Sequence, residues 1–169
     1  MISQPARIIR SLLPVVAAAS IAAGCSSNEI VPAGSQQRSE NVVRPARVSV
    51  AGNRAATIAL QQVGTPYRYG GKSPNGFDCS GLAYYSYAQI GKSIPRTTSG
   101  QWSGLSPIDA RNMRAGDLLF FNISGKMSHV GIYVGGGRFV HAPSSGKVVS
   151  VESLASDFYR DAFIRAGRP

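Results

Sequence analysis

The sequence predicts an α+β domain in which N-terminal helices pack on one side of a central antiparallel sheet. Apolar residues recur at helical spacing in two early segments, 56–63 and 78–90. Later segments at 118–121, 128–134 and 138–142 are short apolar or alternating runs, which is the pattern of strands. Helices followed by successive antiparallel strands are typical of α+β domains.

The first two helices have recognisable ends. Asn53 is a plausible N-cap before the apolar positions of the first helix, and Gly64 ends it. The second helix is expected from about Asp78, as N-cap, to Ile90, with Gly91 after its last residue. Turn residues fill the stretch between the two helices.

A third, short helix is expected within 94-IPRTTSGQW-102. Thr98 and Gln101 fit the capping-box pattern, in which a hydroxyl and an amide three residues later satisfy the first backbone N–H groups. After this helix, 118–121 follows Gly116 and Asp117 as a short buried strand. Segments 148–151 and 162–166 are further strand candidates.

The glycines 135–137 lie between two alternating runs and predict a β-hairpin. Centring the loop on Gly136 places Tyr133 opposite Phe139. In that register His129 and His141 project from the same face as diagonal neighbours, with Cα atoms about 7–8 Å apart. A slip of one residue would send the two rings to opposite faces, so their meeting depends on this register.

The N-terminus has the pattern of a lipoprotein signal peptide. Arg7 and Arg10 precede an apolar run at 11–23, and small residues lead into Cys25. We therefore expect residues 1–24 to be removed and Cys25 to be acylated. The alternatives are an ordinary signal peptide cleaved nearby or a short transmembrane anchor, for which the run is too short. Ser26 is typical of sorting to the outer membrane.

Residues 25–52 are expected to form the acylated N-terminus and a flexible tether, and residues 53–169 the folded domain. The chain has a formal net charge of +10, which favours polyanions such as wall polymers, anionic headgroups or nucleic acid. Export argues against nucleic acid as a partner. A solvated basic surface explains the charge equally well.

Acylation of Cys25 would leave Cys79 as the one unpaired thiol of an exported chain with two cysteines. Such a cysteine is either reactive or a buried inert side chain. At a helix start, beside Asp78, the helix dipole would lower the pKa of the Cys79 thiol. His129 and His141 are the only histidines, and they would supply a base and a residue that orients it.

A zinc site is the alternative use of the same three residues. Cys79, His129 and His141 could bind zinc together with a water molecule. The sequence has no HExxH or CxxC motif, so it predicts no metal and no cofactor.

Five motifs in order resemble the NlpC-type peptidoglycan peptidases, which are papain-like cysteine hydrolases of the bacterial wall. They are GTPYRYGG at 64–71, DCSGL at 78–82, IPRTT at 94–98, GDLLFF at 116–121 and HVGIYVGGGRFVHA at 129–142. The resemblance spans about residues 53 to 166 and implies a papain-like fold.

The resemblance implies Cys79 as nucleophile, His129 as base and His141 as the third polar member. It further implies that Tyr67 helps to stabilise the oxyanion, although an ordinary loop aromatic is the alternative.

The resemblance also assigns three polar residues to the substrate site. Asp78 and Ser80 would line this site, with helix capping as the alternative role. Arg96 would meet a carboxylate of a stem peptide, or else be a surface charge.

The expected function is therefore a peptidoglycan endopeptidase that cuts either the γ-D-glutamyl–diaminopimelate bond or the diaminopimelate–D-Ala cross-link. The alternatives are a thiol acyltransferase or amidase on the same scaffold and a non-catalytic wall-binding lipoprotein. The expected partners are peptidoglycan stem peptides and, through the lipid on Cys25, the membrane. We expect a monomer at the periplasmic face of the outer membrane.

Overall fold

The computed structural model describes residues 50–123 and 125–169, all within one compact unit. Four α-helices are present in these residues: α1 (Val50–Leu60), α2 (Cys79–Ala88), α3 (Thr98–Gly104) and α4 (Asp157–Ala162), together with one short 3-10 helix (Ala110–Asn112). The strands are β1 (Lys72–Ser73), β2 (Gly76–Phe77), β3 (Ser106–Ile108), β4 (Leu118–Ile123), β5 (Lys126–Gly135), β6 (Arg138–His141), β7 (Ser150–Ser153) and β8 (Phe163–Arg168).

Strands β3 to β8 form one six-stranded sheet in the order β3-β8-β4-β5-β6-β7, in which every neighbouring pair is antiparallel. Strands β1 and β2 form a separate small hairpin just before α2. The helices α1, α2 and α3 contact β5, the central long strand. The predicted α+β class, with helices on an antiparallel sheet, is confirmed.

Two apolar clusters lie on the two faces of the sheet, because side chains alternate between faces along each strand. The larger cluster joins α1 and α2 to even-numbered strand positions such as Leu118 and Phe120. The smaller cluster contains Leu119, Phe121 and Phe139, and Tyr159 of α4 packs against it. The run 118–121 is completely buried, since both faces of β4 are covered.

The first helix starts earlier than the sequence predicts. It begins at Val50, so Asn53 lies inside the helix and the N-cap prediction for it is wrong. Gly52 is buried against Gly116, where a Cβ on Gly116 would come within 2.4 Å of the Gly52 Cα. The absence of a side chain on Gly116 allows the first turn of α1 to pack closely on the domain, which the local sequence does not reveal.

The third helix is shifted by one residue from the prediction. Thr97, not Thr98, is the N-cap, and its hydroxyl accepts a hydrogen bond from the Gly100 amide at 3.2 Å. The capping box of Thr98 with Gln101 is therefore wrong. Gln101 is fully buried instead, and its amide donates to the carbonyls of Ser80 and Pro95.

The hairpin of β5 and β6 has the predicted register. Tyr133 pairs with Phe139 and Ile132 with Val140, and the three loop glycines all have positive φ. The last two strands begin slightly later than expected, β7 at Ser150 and β8 at Phe163. None of the helices in residues 50–123 and 125–169 is long and apolar enough to cross a membrane.

Candidate active site

Helix α2 starts in a polar network built around the Asp78 carboxylate. Asp78 is the N-cap, and its Oδ1 accepts from the Gly81 amide at 2.6 Å. Arg96 donates to both carboxylate oxygens, at 3.0 and 2.8 Å, and also to the Ser80 hydroxyl. A second amide, that of Gly70, donates to Oδ2 at 2.9 Å. The network fixes the start of α2 against the two loops that precede and follow it.

The glycine of DCSGL is required by this close packing. A Cβ on Gly81 would lie 1.9 Å from the carbonyl oxygen of Gly71, which is backbone and cannot rotate away. The same Gly71 carbonyl accepts hydrogen bonds from Arg96 and from the Asp78 amide. The loop around Gly71 therefore closes on the first turn of α2, and only glycine fits there.

Cys79 is the first residue of α2, and its free thiol is partly exposed. Its Sγ lies 3.6 Å from the Thr98 hydroxyl. Burial raises the pKa of the Cys79 thiol, whereas hydrogen bonds from Thr98 and from backbone groups of Val130 and Ser80 lower it. Burial is the largest of these effects, so the predicted lowering of this pKa is wrong. The resting residue is a thiol that needs a base.

His129 and His141 lie side by side on β5 and β6, as the register predicts. His129 Nε2 and His141 Nδ1 are 2.7 Å apart, and the rings meet edge to face. One of these two nitrogens must carry the shared proton, so the tautomers of the two rings are coupled.

Aromatic rings enclose the histidine pair. Phe121 packs against His129, while Phe139 and Tyr159 pack against His141. Burial lowers the pKa of His129 to about 4 and that of His141 to about 3; nearby positive charge contributes for His141. Both rings are therefore neutral near pH 7, and a neutral ring can accept the proton of a thiol.

The outer nitrogen of His141 meets two hydroxyl groups. Ser150 Oγ lies 3.4 Å and Tyr159 OH 3.5 Å from His141 Nε2. When this nitrogen carries the proton, Nδ1 is an acceptor and His129 donates through Nε2. The remaining nitrogen of His129, Nδ1, is then unprotonated and available as a base.

Two cavities meet at Cys79. The first, of about 260 Å³, includes Cys79, His129, Lys147 and Tyr159 in its wall. The second, of about 500 Å³, has a wall that includes Cys79 and the polar group formed by Asp78, Ser80 and Arg96. Tyr67, Cys79 and Ser128 belong to both walls, so the two cavities form a continuous groove across the thiol.

Tyr67 lies at the centre of this groove. Burial raises the pKa of its hydroxyl, and the neighbouring Cys79 and Asp78 raise it further, so the hydroxyl stays protonated as a hydrogen-bond donor. Its backbone amide donates to the Lys147 carbonyl at 2.8 Å. This position beside the thiol agrees with the predicted oxyanion role, which stays a prediction.

The structure thus brings six of the seven predicted site residues of the domain into the wall of one groove: Tyr67, Asp78, Cys79, Ser80, Arg96 and His129. The seventh, His141, lines neither cavity and contacts His129 instead. The Arg96 guanidinium is bonded to Asp78, Ser80 and Gly71, and its predicted contact with a stem-peptide carboxylate stays a prediction. The predicted lipidation site, Cys25, lies outside the described residues.

Sequence reasoning missed several residues of the site, among them Thr98, Lys147, Ser150 and Tyr159. Tyr159 lies on α4, which had no place in the sequence prediction. The pattern Ser156-Asp157 was a signal for that helix start, since a serine followed by an acid is typical of an N-terminus. In the described part of the chain, no three His, Cys, Asp or Glu side chains are placed to hold a metal ion.

A family model for the NlpC/P60 family matches residues 64–168, which is more than half of the chain. The chain belongs to the NlpC/P60 family. This assignment confirms the resemblance that the five motifs indicate, and the matched residues contain the whole groove.

Relatives of known name agree with this membership. The chain is 40% identical over 129 residues to murein DD-endopeptidase MepH of Escherichia coli, covering 73% of this chain and 48% of that protein. It is 42% identical over 100 residues to a gamma-D-glutamyl-L-lysine dipeptidyl-peptidase of Bacillus subtilis, covering 57% of this chain and 34% of that protein. The chain thus spans about half or less of these two curated relatives.

A solved structure gives the same result for the fold. The NlpC/p60 domain of the peptidoglycan hydrolase SagA is 39% identical, with a TM-score of 0.62 over 70% of this chain and 98% of that domain. The papain-like fold expected from the sequence is that of the family.

Proposed function

We propose that this protein is a peptidoglycan endopeptidase that hydrolyses an amide bond of stem peptides by cysteine nucleophilic catalysis. The observation that carries the proposal is the groove whose wall contains both the free Cys79 thiol and His129, with His141 in contact with His129. The family and the activities in the names of its relatives support the substrate class.

The first half of the reaction forms a thioester. His129 Nδ1 takes the thiol proton as Cys79 Sγ attacks the carbonyl carbon of the scissile amide. First-turn amides of α2 and the Tyr67 hydroxyl donate hydrogen bonds to the oxyanion. When the intermediate collapses, His129 returns the proton to the leaving amine, and the C–N bond breaks.

The second half releases the acyl group. His129 takes a proton from water, and the resulting hydroxide attacks the thioester carbonyl. The C–S bond breaks, the carboxylic acid leaves, and the proton on His129 returns to Cys79. In the proposed tautomer His141 Nδ1 accepts a hydrogen bond from His129 Nε2, which lies 2.7 Å away, and so keeps the His129 ring oriented throughout.

The test is hydrolysis of intact peptidoglycan by the purified full-length chain in mild detergent, followed by mass spectrometry of the muropeptides. Cys79→Ala should lower the rate by at least about 10³-fold. The matched control is Cys25→Ala, which removes the other cysteine and should leave the rate in detergent unchanged.

The products decide between the candidate reactions. Loss of cross-linked dimers with the wild type alone establishes a cross-link endopeptidase, whereas fragments ending in D-Glu establish cleavage of the γ-D-glutamyl bond. A transferred acyl group without hydrolysis would support the acyltransferase. Equal products from wild type and Cys79→Ala would contradict the proposal.

We further propose that Cys25 is acylated and anchors the enzyme to the outer membrane, facing the periplasm. The segment between Cys25 and the start of α1 at Val50 would then act as a tether, shorter than the predicted 25–52, and hold the catalytic domain near the wall at a high effective concentration. The signal-peptide pattern before Cys25 supports the anchor. Labelled palmitate should enter the wild type and not Cys25→Ala, and membrane fractionation should find only the variant in the soluble fraction.

A further inference from the structure

Lys147 lies in the wall of the groove at a position that the backbone fixes. It belongs to the segment between β6 and β7, and its carbonyl accepts the Tyr67 amide at 2.8 Å. Its own amide donates to the Ser144 carbonyl, and Val149 exchanges two hydrogen bonds with residues 64–65. The segment is thus joined to the loop that carries Tyr67, and the lysine side chain starts from a defined place beside the thiol.

Lys147 gives its cavity a positive charge. The wall of the 260 Å³ cavity contains no other formally charged described residue, because His129 is neutral. The Lys147 side chain is exposed, and no ion pair joins it to a carboxylate of the described residues. Glu152 lines an adjoining depression together with Lys147 but forms no ion pair with it. An anion of the substrate would therefore find this ammonium group unoccupied.

The chemistry of the site gives the groove a direction. His129 must deliver a proton to the leaving amine, so the amine-side half of the substrate occupies the cavity that His129 lines. The acyl-side half then occupies the second cavity, whose wall includes Asp78, Ser80 and Arg96 but not His129. Lys147 consequently faces the residue whose nitrogen leaves.

The two candidate bonds differ in the charge at that residue. In a D-Ala–diaminopimelate cross-link, the leaving nitrogen is bonded to a carbon that also carries a free carboxylate. In the γ-D-glutamyl–diaminopimelate bond of a longer stem, the carboxyl group on the corresponding carbon is itself part of the next amide. Only the first leaving group presents a full negative charge two bonds from the scissile nitrogen.

We propose that Lys147 binds the free carboxylate of the amine-side residue and thereby selects cross-link bonds over bonds to an amidated centre. The inference rests on the proposed function, and it adds the chemical class of the leaving group: an α-amino acid with a free carboxylate. An ammonium group and a carboxylate in a partly enclosed groove form a charge-assisted hydrogen bond, which amidation removes.

The experiment compares two cross-linked stem-peptide dimers that differ only at the amine-side diaminopimelate, with a free carboxylate in one and an amide in the other. We expect Lys147→Met to lower kcat/KM about two- to fivefold on the free-carboxylate dimer, as for an exposed ion pair. The amidated dimer should be cut equally by wild type and variant. Lys92→Met, which removes an exposed lysine outside the groove, is the charge-matched control.

Three results would overturn the role of Lys147: an equal loss on both dimers, no loss on either, or the same loss in Lys92→Met. None of them affects the proposed function, which is decided by cleavage in the wild type and its absence in Cys79→Ala. If the wild type cuts neither dimer, the proposed function fails. In that case calorimetry measures the affinity of Cys79→Ala for each of the two dimers. Equal affinities for the free-carboxylate and amidated dimers would contradict the proposed role of Lys147.

Discussion

His129 Nε2 and His141 Nδ1 lie 2.7 Å apart across the neighbouring strands β5 and β6. The two residues are twelve positions apart in the chain, and the register of the hairpin brings them together. Their contact couples the tautomers of the two rings, and in the proposed tautomer His129 donates through Nε2 and its Nδ1 is the base. The proposed catalytic pair therefore depends on the pairing of two strands as much as on the identity of the two side chains.

Replacing His141 tests this orienting role. His141→Asn keeps an oxygen that can accept the His129 Nε2–H bond, whereas His141→Leu removes every acceptor. We expect His141→Leu to lower kcat by about 10²-fold or more, with His141→Asn between the wild type and this variant. Steady-state kinetics on cross-linked dimers measures both. Equal kcat values for Asn and Leu would contradict an orienting hydrogen bond.

The buried histidines make stability depend on pH. Burial lowers the pKa of His129 and His141 from 6.5 to about 4 and about 3. Below pH 6.5 the unfolded chain therefore binds protons that the folded chain does not, and the free energy of unfolding falls as the pH drops toward 4. Above pH 6.5 both states are neutral at these groups, so this contribution is constant.

Urea denaturation at pH 7, 6 and 5 measures this slope. His141→Asn removes one of the two titrating groups and should flatten the dependence between pH 6.5 and 5. If the variant has the same slope as the wild type, unfolding does not change the number of protons bound by His141, which contradicts the prediction.

The geometry of the Arg96–Asp78 pair predicts that lysine cannot replace Arg96. The guanidinium bonds both oxygens of a carboxylate that is only 13% exposed, and it also reaches Ser80 and Gly71. Lysine lacks this planar fork, so Arg96→Lys should lower the free energy of unfolding by about 1–3 kcal/mol.

The control for this prediction is the exposed pair of Arg111 with Asp109, which has the same bidentate form. Arg111 is 89% exposed, so Arg111→Lys should change stability by less than about 1 kcal/mol. Chemical denaturation of both variants gives the comparison, and equal effects would mean that the Asp78 network is not specific for arginine.

Gly81→Ala should disturb the start of α2. The added Cβ would meet the Gly71 carbonyl at 1.9 Å, and relief requires a movement of backbone. We expect a loss of about 1–3 kcal/mol in the free energy of unfolding, as for overpacking of a tight interior. Thermal and urea unfolding measure it.

Gly104→Ala is the matched helical control, because its Cβ would have 3.4 Å to the nearest atom, on Pro95. Alanine is a better helix former than glycine by about 0.5–1 kcal/mol, so this variant should be neutral or slightly stabilised. If Gly81→Ala has the same free energy of unfolding as the wild type, the loop around Gly71 moves aside at little energetic cost, and the prediction is contradicted.

Local patterns predicted a large part of the structure. The run 118–121 marks a strand covered on both faces, and the glycines at 135–137 mark the hairpin turn. Asp78 as the N-cap of α2 follows from its own side chain and the helix after it. These features depend on residues close in sequence, whose preferences act whatever the rest of the chain does.

Errors occurred where distant contacts override local preference. The first turn of α1, which the Asn53 N-cap prediction missed, packs closely on Gly116. Gln101 does not cap α3, because its buried side-chain amide donates hydrogen bonds to the carbonyls of Ser80 and Pro95 instead. The raised pKa of Cys79 follows from burial, which exceeds the effect of its hydrogen bonds.

The sequence by itself determined the fold class, the hairpin register and the identity of Cys79, His129 and His141, because strand alternation and helix capping are local properties. Only the tertiary structure decided which groups surround them. It paired Arg96 with Asp78, and it placed Tyr159 against His141 and Lys147 in the wall of the cavity that Cys79 also lines. These relations join elements far apart in the chain, and the packing of helices and loops on the sheet determines their distances and their exposure to water.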